Sequence, residues 1–159
     1  MTMRYAPLVV ALVSAIALGA CAEKDPVPMA TPPPASTWEG PPQPDASGTI
    51  AVDSWGEYVE TADPRLSRSP VRSAVEFVNL GEPSALTTSV VMEQPSLEGG
   101  DEATVTVTED GLLDDSVRAV RYTLRFEREG QAWPLAEAIV EQRCQPGRGH
   151  QGFSPEPCV

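Results

Sequence analysis

Basic side chains are scarce in this sequence: 11 Lys and Arg stand against 23 Asp and Glu, a formal net charge of −12 over 159 residues. Binding DNA or RNA rests on neutralising phosphates with Lys and Arg, so the balance argues against a nucleic-acid partner. There is one histidine, and acid–base chemistry would therefore fall to carboxylates. The apolar run Ala6–Ala17 falls short of the ~20 residues that span a bilayer. No phosphate-binding loop, dinucleotide fingerprint or calcium loop is present. The chain is too short for a two-domain enzyme, since domains of about 100–150 residues are the commonest size.

What is present begins with a leader. Met1–Tyr5 carries Arg4 and no acid, and Ala6–Ala17 is apolar except for Ser14. Small residues follow, ending at Cys21, which is the layout of a secretory signal. Leu18, Gly19, Ala20 and Cys21 resemble the lipobox of bacterial lipoproteins, a resemblance confined to the leader. It implies a signal peptide over residues 1–20, removed just before Cys21, and a diacylglycerol (with palmitate among its acyl chains) on the Cys21 thiol. One acyl chain holds a protein marginally, whereas two or three hold it stably. The membrane, reached through that anchor, is the first expected partner. The chain is expected in the cell envelope, on the outer face of the cytoplasmic membrane or on the outer membrane.

Residues 21–47 read as the lipidated cysteine and a Pro-rich disordered tether. Between Pro26 and Pro44, eight of nineteen residues are proline. Proline lacks an N–H and has a fixed φ, so the stretch neither pairs in a sheet nor continues a helix. Trp38 is the one large apolar residue in it, either docked on the domain or exposed. Residues 48–159 are expected to form one extracytoplasmic domain. Gly48–Gln142 carries seven Arg and eighteen acids, a net of −11, and the tail Arg143–Val159 is slightly basic.

Two segments read as helices. Ser54 and Glu57 have capping-box spacing, followed by Trp55, Tyr58, Val59 and Ala62 on one face, with Asp63-Pro64 as the stop. Ser69 is an N-cap, Pro70 suits the first helical position, Val71, Ala74, Val75 and Val78 form a stripe, and Gly81 suits the C-terminal cap. The period then changes to two. Leu86–Gln94 reads as a strand. Ala103, Val105 and Val107 alternate with threonines, which marks a half-buried strand.

Ser116–Arg128 is the strongest strand, with Val120, Tyr122, Leu124 and Phe126 on one side. A change of phase at Val117 and Ala119 predicts a bulge near Ala119–Val120. A two-residue turn at Glu129-Gly130 would place Phe126 opposite Trp133, Leu124 opposite Leu135, Val120 opposite Ile139 and Arg118 opposite Glu141. Tyr122 would face Glu137, the pair that fits least well. The fold class is α+β, with two N-terminal helices on a three- to four-stranded antiparallel sheet. The order resembles the cystatin-like or NTF2-like arrangement, a curved sheet wrapping a helix, which implies no function by itself.

Outside the cytosol, Cys144 and Cys158 form the obvious disulfide once Cys21 carries lipid. The segment between them, rich in Pro and Gly, would fold back over the sheet with Phe153 as its anchor. Arg148, His150 and Phe153 are the candidate ligand or partner contacts. Cys144, His150 and Cys158 are also zinc-ligand types, but an oxidising envelope favours the bridge, and no metal or cofactor is expected. The tail and the stretch Leu112–Arg118 resemble a pattern in uncharacterised secreted bacterial proteins, which implies no activity. The expected function is a non-catalytic binding or envelope-interaction module, engaging an envelope protein or a small ligand. The alternative is a carboxylate-dependent enzyme with a pocket in the concave sheet face, using Glu137.

Overall fold

The computed structural model describes residues 37–80, 85–95 and 100–159. The leader, Cys21, the Pro-rich run up to Pro34 and Gly81 lie outside them. Eight elements follow in order: β1 (Thr49–Ile50), α1 (Asp53–Thr61), a 3-10 turn (Leu66–Arg68), α2 (Pro70–Val78), β2 (Thr87–Glu93), β3 (Glu102–Asp110), β4 (Val117–Glu127) and β5 (Leu135–Cys144). The strands make one antiparallel sheet ordered β1-β5-β4-β3-β2. The α+β class stands, but the sheet has five strands instead of three or four. The extra one is β1, too short at two residues to leave a pattern.

Both helices form where the apolar spacing predicts them, with different ends. The capping box is not made. Val52 is the N-cap of α1, without a side-chain bond, and Ser54 lies inside the first turn. Trp55 and Gly56 donate their N–H groups to the Val52 carbonyl, so the helix starts upstream of the expected cap. The Ser69 hydroxyl does cap α2, accepting from the Arg72 N–H at 3.3 Å, and Pro70 follows it. The helix ends on Asn79, not on Gly81: Asn79 has φ +54°, a left-handed conformation that asparagine tolerates best after glycine. The buried stripe of α2 is Ser73, Ala74, Phe77 and Val78, rotated from the expected one toward Phe77. Ser69→Ala is therefore expected to cost about 1 kcal/mol and Ser54→Ala close to nothing. Urea midpoints of the two variants check this.

The hairpin of β4 and β5 departs from the expected register. Glu129 and Ala132 exchange both backbone hydrogen bonds, so the turn residues are Gly130-Gln131, one later than expected, with Gly130 at φ +63°. Ala136 is then an extra residue on β5, because Phe126 faces Leu135 while Arg125 faces Glu137. The two displacements put Leu124 opposite Ala138, Tyr122 opposite Val140 and Val120 opposite Gln142. A one-residue bulge exchanges the faces of everything beyond it. Ala138 and Val140 thus turn inward, and Glu137 and Ile139 turn outward. The expected bulge on β4 is present one residue early, at Arg118, between the pairs Val117–Cys144 and Ala119–Arg143.

The core lies between the inner sheet face and the helices. Val105, Val107, Leu124 and Phe126 meet Ala74 and Phe77. Trp38 closes this core from outside the expected boundary at Gly48. Its indole Nε1–H donates to the Phe77 carbonyl at 2.7 Å, and its ring packs against Trp55, Tyr58 and Phe77. Of the two alternatives for Trp38, the docked one holds, and the packed domain includes it.

Candidate functional site

β5 delivers the chain to Cys144, whose sulfur is bonded to Cys158, with the Cα atoms 5.4 Å apart. The tail between them folds back onto the outer sheet face. Gln142 and Ser154 exchange two backbone hydrogen bonds. Gly149 has φ +138°, and a Cβ there would lie 2.8 Å from the Cys144 sulfur, so the loop needs glycine at this point. Gln145 donates its N–H to the Ser116 carbonyl at 2.7 Å, which joins the tail to the turn before β4.

Each of the three candidate contact residues has a partner within the chain. Phe153 stacks under two guanidinium groups, with Arg121 4.3 Å and Arg143 5.2 Å from its ring centre. Arg148 donates from Nε to the Asp115 carbonyl and lies 3.7 Å from its carboxylate. His150 Nε2 faces the Glu156 carbonyl and Nδ1 the Gly152 carbonyl, both at 2.8 Å. A neutral imidazole has one N–H to give, so only the cation donates to both.

The Glu156 carbonyl first, then that of Gly152, raises the His150 pKa above its ordinary 6.5. The raised folded-state value fixes the sign of the pH effect. His150 adds stability that is complete below about pH 6.5 and is lost as pH rises through the folded value. The His150 ring is expected to titrate above 6.5 by NMR, with the protection of tail amides relative to their intrinsic exchange rate falling on the alkaline side. A midpoint at or below 6.5 would show that the two carbonyls do not select the cation.

The outer face carries a ladder of ion pairs. Arg121 meets Glu141 at 2.7 Å, Arg125 meets Glu137 at 3.1 Å, and Arg143 meets Asp110 at 2.6 Å. The hydrogen bond from Arg143 holds the Asp110 carboxyl below its usual value. Glu137 was the acid expected on the inner face, beside Leu124 and Trp133. It lies instead on the outer face, because the Ala136 bulge exchanges the sides of β5. Glu137 is therefore not an acid of the helix-covered face.

Cys144, His150 and Cys158 bring their ligand atoms within 4.8 Å of one another. With the two sulfurs joined and both imidazole nitrogens facing carbonyls, that set holds a cation only after reduction and rotation of the ring.

Helices cover the centre of the inner face, and among the described residues clefts lie at its margins. One, of about 240 Å³, lies between α1, the 3-10 turn and the β4–β5 turn, with Trp55, Val59, Trp133 and Leu135 in its walls and Glu60 and Glu129 among its lining residues. Another, of about 330 Å³, runs beneath Pro41–Pro44 to Tyr122 and Val140. Burial, then the Glu109 charge, pushes the Tyr122 hydroxyl pKa up.

The surface that sequence reasoning missed is the side of β2 that no strand among the described residues pairs with. All seven of its residues are exposed, including Val90, Val91 and Met92, and Leu86 beside it is 84% exposed. The residues show a strand there, but an edge position depends on strand order, which no local pattern carries. No family model, no curated protein and no solved structure matches this chain.

Proposed function

We propose that this chain is a lipid-anchored envelope module that binds a partner and performs no chemistry of its own. The observation that carries the binding reading is that its reactive side chains are already engaged. Glu137, Glu141 and Asp110 are paired with arginines, His150 is held between two carbonyls, and Cys144 is bonded to Cys158. A disulfide persists in oxidising compartments, which supports a place outside the cytosol. The anchor rests on Leu18-Gly19-Ala20-Cys21. Trp38, seated on the domain, shortens the stretch that serves as a spacer. The cystatin-like comparison rests on helices covering one face of an antiparallel sheet, and adds no ligand.

Cys21→Ser tests the anchor. The variant is expected to leave the membrane fraction and to take up no labelled palmitate. If it stays membrane-bound and still incorporates label, the lipoprotein reading fails.

A further inference from the structure

We propose that β2 is the interface of a two-fold dimer, in which its outer edge pairs antiparallel with the same edge of a second copy, centred on Val90. The inference does not depend on the lipid anchor.

The two edges of the sheet differ in kind. β1, at one edge, is two residues long, and very short edge strands are a device against unwanted pairing. β2, at the other, has seven residues in unbroken register with β3, without Pro, Lys or a bulge. Its one charge is Glu93 at the end. Nothing among the described residues pairs with its outer side.

The hydrogen-bond phase shows which groups are left over. The Val140 N–H donates to Gly48 and the Arg128 N–H to Asp101. Carried across the registers, these bonds turn the backbone of odd-numbered residues in β2 toward β3. Past the end of that ladder, Gly111 (φ +74°) turns its carbonyl back to accept from Leu86. The N–H and C=O groups of Thr88, Val90 and Met92 therefore point outward. They are spaced evenly about Val90.

A second copy of β2 satisfies all of them in one register. With the two-fold axis at Val90, Thr88 faces Met92 of the other copy and Val90 faces its own counterpart. On the outer face Ser89 meets Val91, and Thr87 meets Glu93. This is the one register in which all seven residues have an opposite, and no acid faces an acid. Closed two-fold pairing is also the commonest symmetry of homo-oligomers. The chain's own Pro-rich stretch is unsuited to the place, because prolines bring no N–H.

The test uses the whole chain, in detergent where it is membrane-bound, with single cysteines and a thiol crosslinker spanning about 8 Å. Facing residues of a hydrogen-bonded antiparallel pair lie about 5.5 Å apart. Val90→Cys is expected to crosslink to itself. Thr88→Cys and Met92→Cys are expected not to crosslink singly, being offset from their own counterparts by about 13 Å along the strand, but to crosslink when mixed. Val91→Lys puts two lysines diagonally across the axis and is expected to weaken dimerisation about tenfold or more. Val90→Pro removes an outward N–H that β3 does not use, and is expected to leave a folded monomer.

Sedimentation and circular dichroism report mass and folding for each variant. A monomeric wild-type mass at tens of micromolar overturns the proposal. So does equal crosslinking of all three single cysteines, or crosslinking of Val90→Cys to a different polypeptide in place of its own copy.

Discussion

Replacing Cys144 and Cys158 together by serine is expected to lower the stability of the domain by about 3 kcal/mol, the chain-entropy cost of freeing a loop of about fifteen residues. For a domain of about 100 residues that corresponds to a fall in Tm on the order of 10–20 °C. The size of the effect follows from what the loop contains. Residues 145–157 hold three Pro and three Gly and form no helix or strand. Their order comes from scattered attachments: the Gln142–Ser154 exchange, the His150 carbonyl pair and the stacking of Phe153. None of these attachments alone matches the entropy of ordering several residues.

One compensation is visible. The Nε of Arg143 is buried without a hydrogen-bond partner, and release of the tail would return it to water. Urea midpoints of the double variant against wild type, with amide exchange at Cys144 and His150, measure the cost. An unchanged midpoint would mean that the non-covalent contacts alone hold the tail. A tail that stays protected while the whole domain loses stability would place the stabilising effect of the bridge outside the tail.

The tail was legible for the reason that makes this variant costly: two cysteines remain after Cys21, and a segment this poor in regular structure needs a clamp. Phe153 as anchor followed from its being the one large apolar side chain inside the loop. The partners of His150 did not follow, since they are backbone carbonyls that any residue supplies. In the sheet, the alternation of β4 correctly assigned Leu124 and Phe126 to the core, because burial on one face imposes a period of two.

The register of the hairpin failed on two local events, a turn displaced by one residue and the extra Ala136. Neither leaves a mark in composition, as alanine is unremarkable in a strand. The poor Tyr122–Glu137 pair was the warning. Arg121–Glu141 and Arg125–Glu137 are satisfied in the same register, and these two charge pairs are the sequence signal for it. The expected register carried Glu137 to the inner face, whereas the observed pairing with Arg125 puts it on the outer one. Trp38 was ambiguous because its contacts are with Trp55, Tyr58 and Phe77, all distant in the chain.

Phe77→Ala is expected to have the largest effect of any single substitution, about 3–5 kcal/mol. Its ring is fully buried and touches both tryptophans of the cluster, T-shaped to Trp55 at 5.4 Å and stacked with Trp38 at 5.8 Å. Removing it leaves a cavity that α2, pinned by the Ser69 cap and by Asn79, is poorly placed to fill. A domain of this size has about 5–15 kcal/mol in total, so the variant would retain a fraction of it or unfold. Trp38→Phe keeps a ring in the stack but loses the hydrogen bond to the Phe77 carbonyl, which is worth about 1 kcal/mol. A chain starting at Gly48 loses ring and bond together and is expected to fall between the two variants. Calorimetry on the three orders them. If the chain from Gly48 melts with wild type, Trp38 rests on the core without supporting it, and the domain begins where the prolines end. If it melts several degrees lower, the last residues of the apparent spacer are structural, and the aromatic cluster is the point at which the tether becomes the domain.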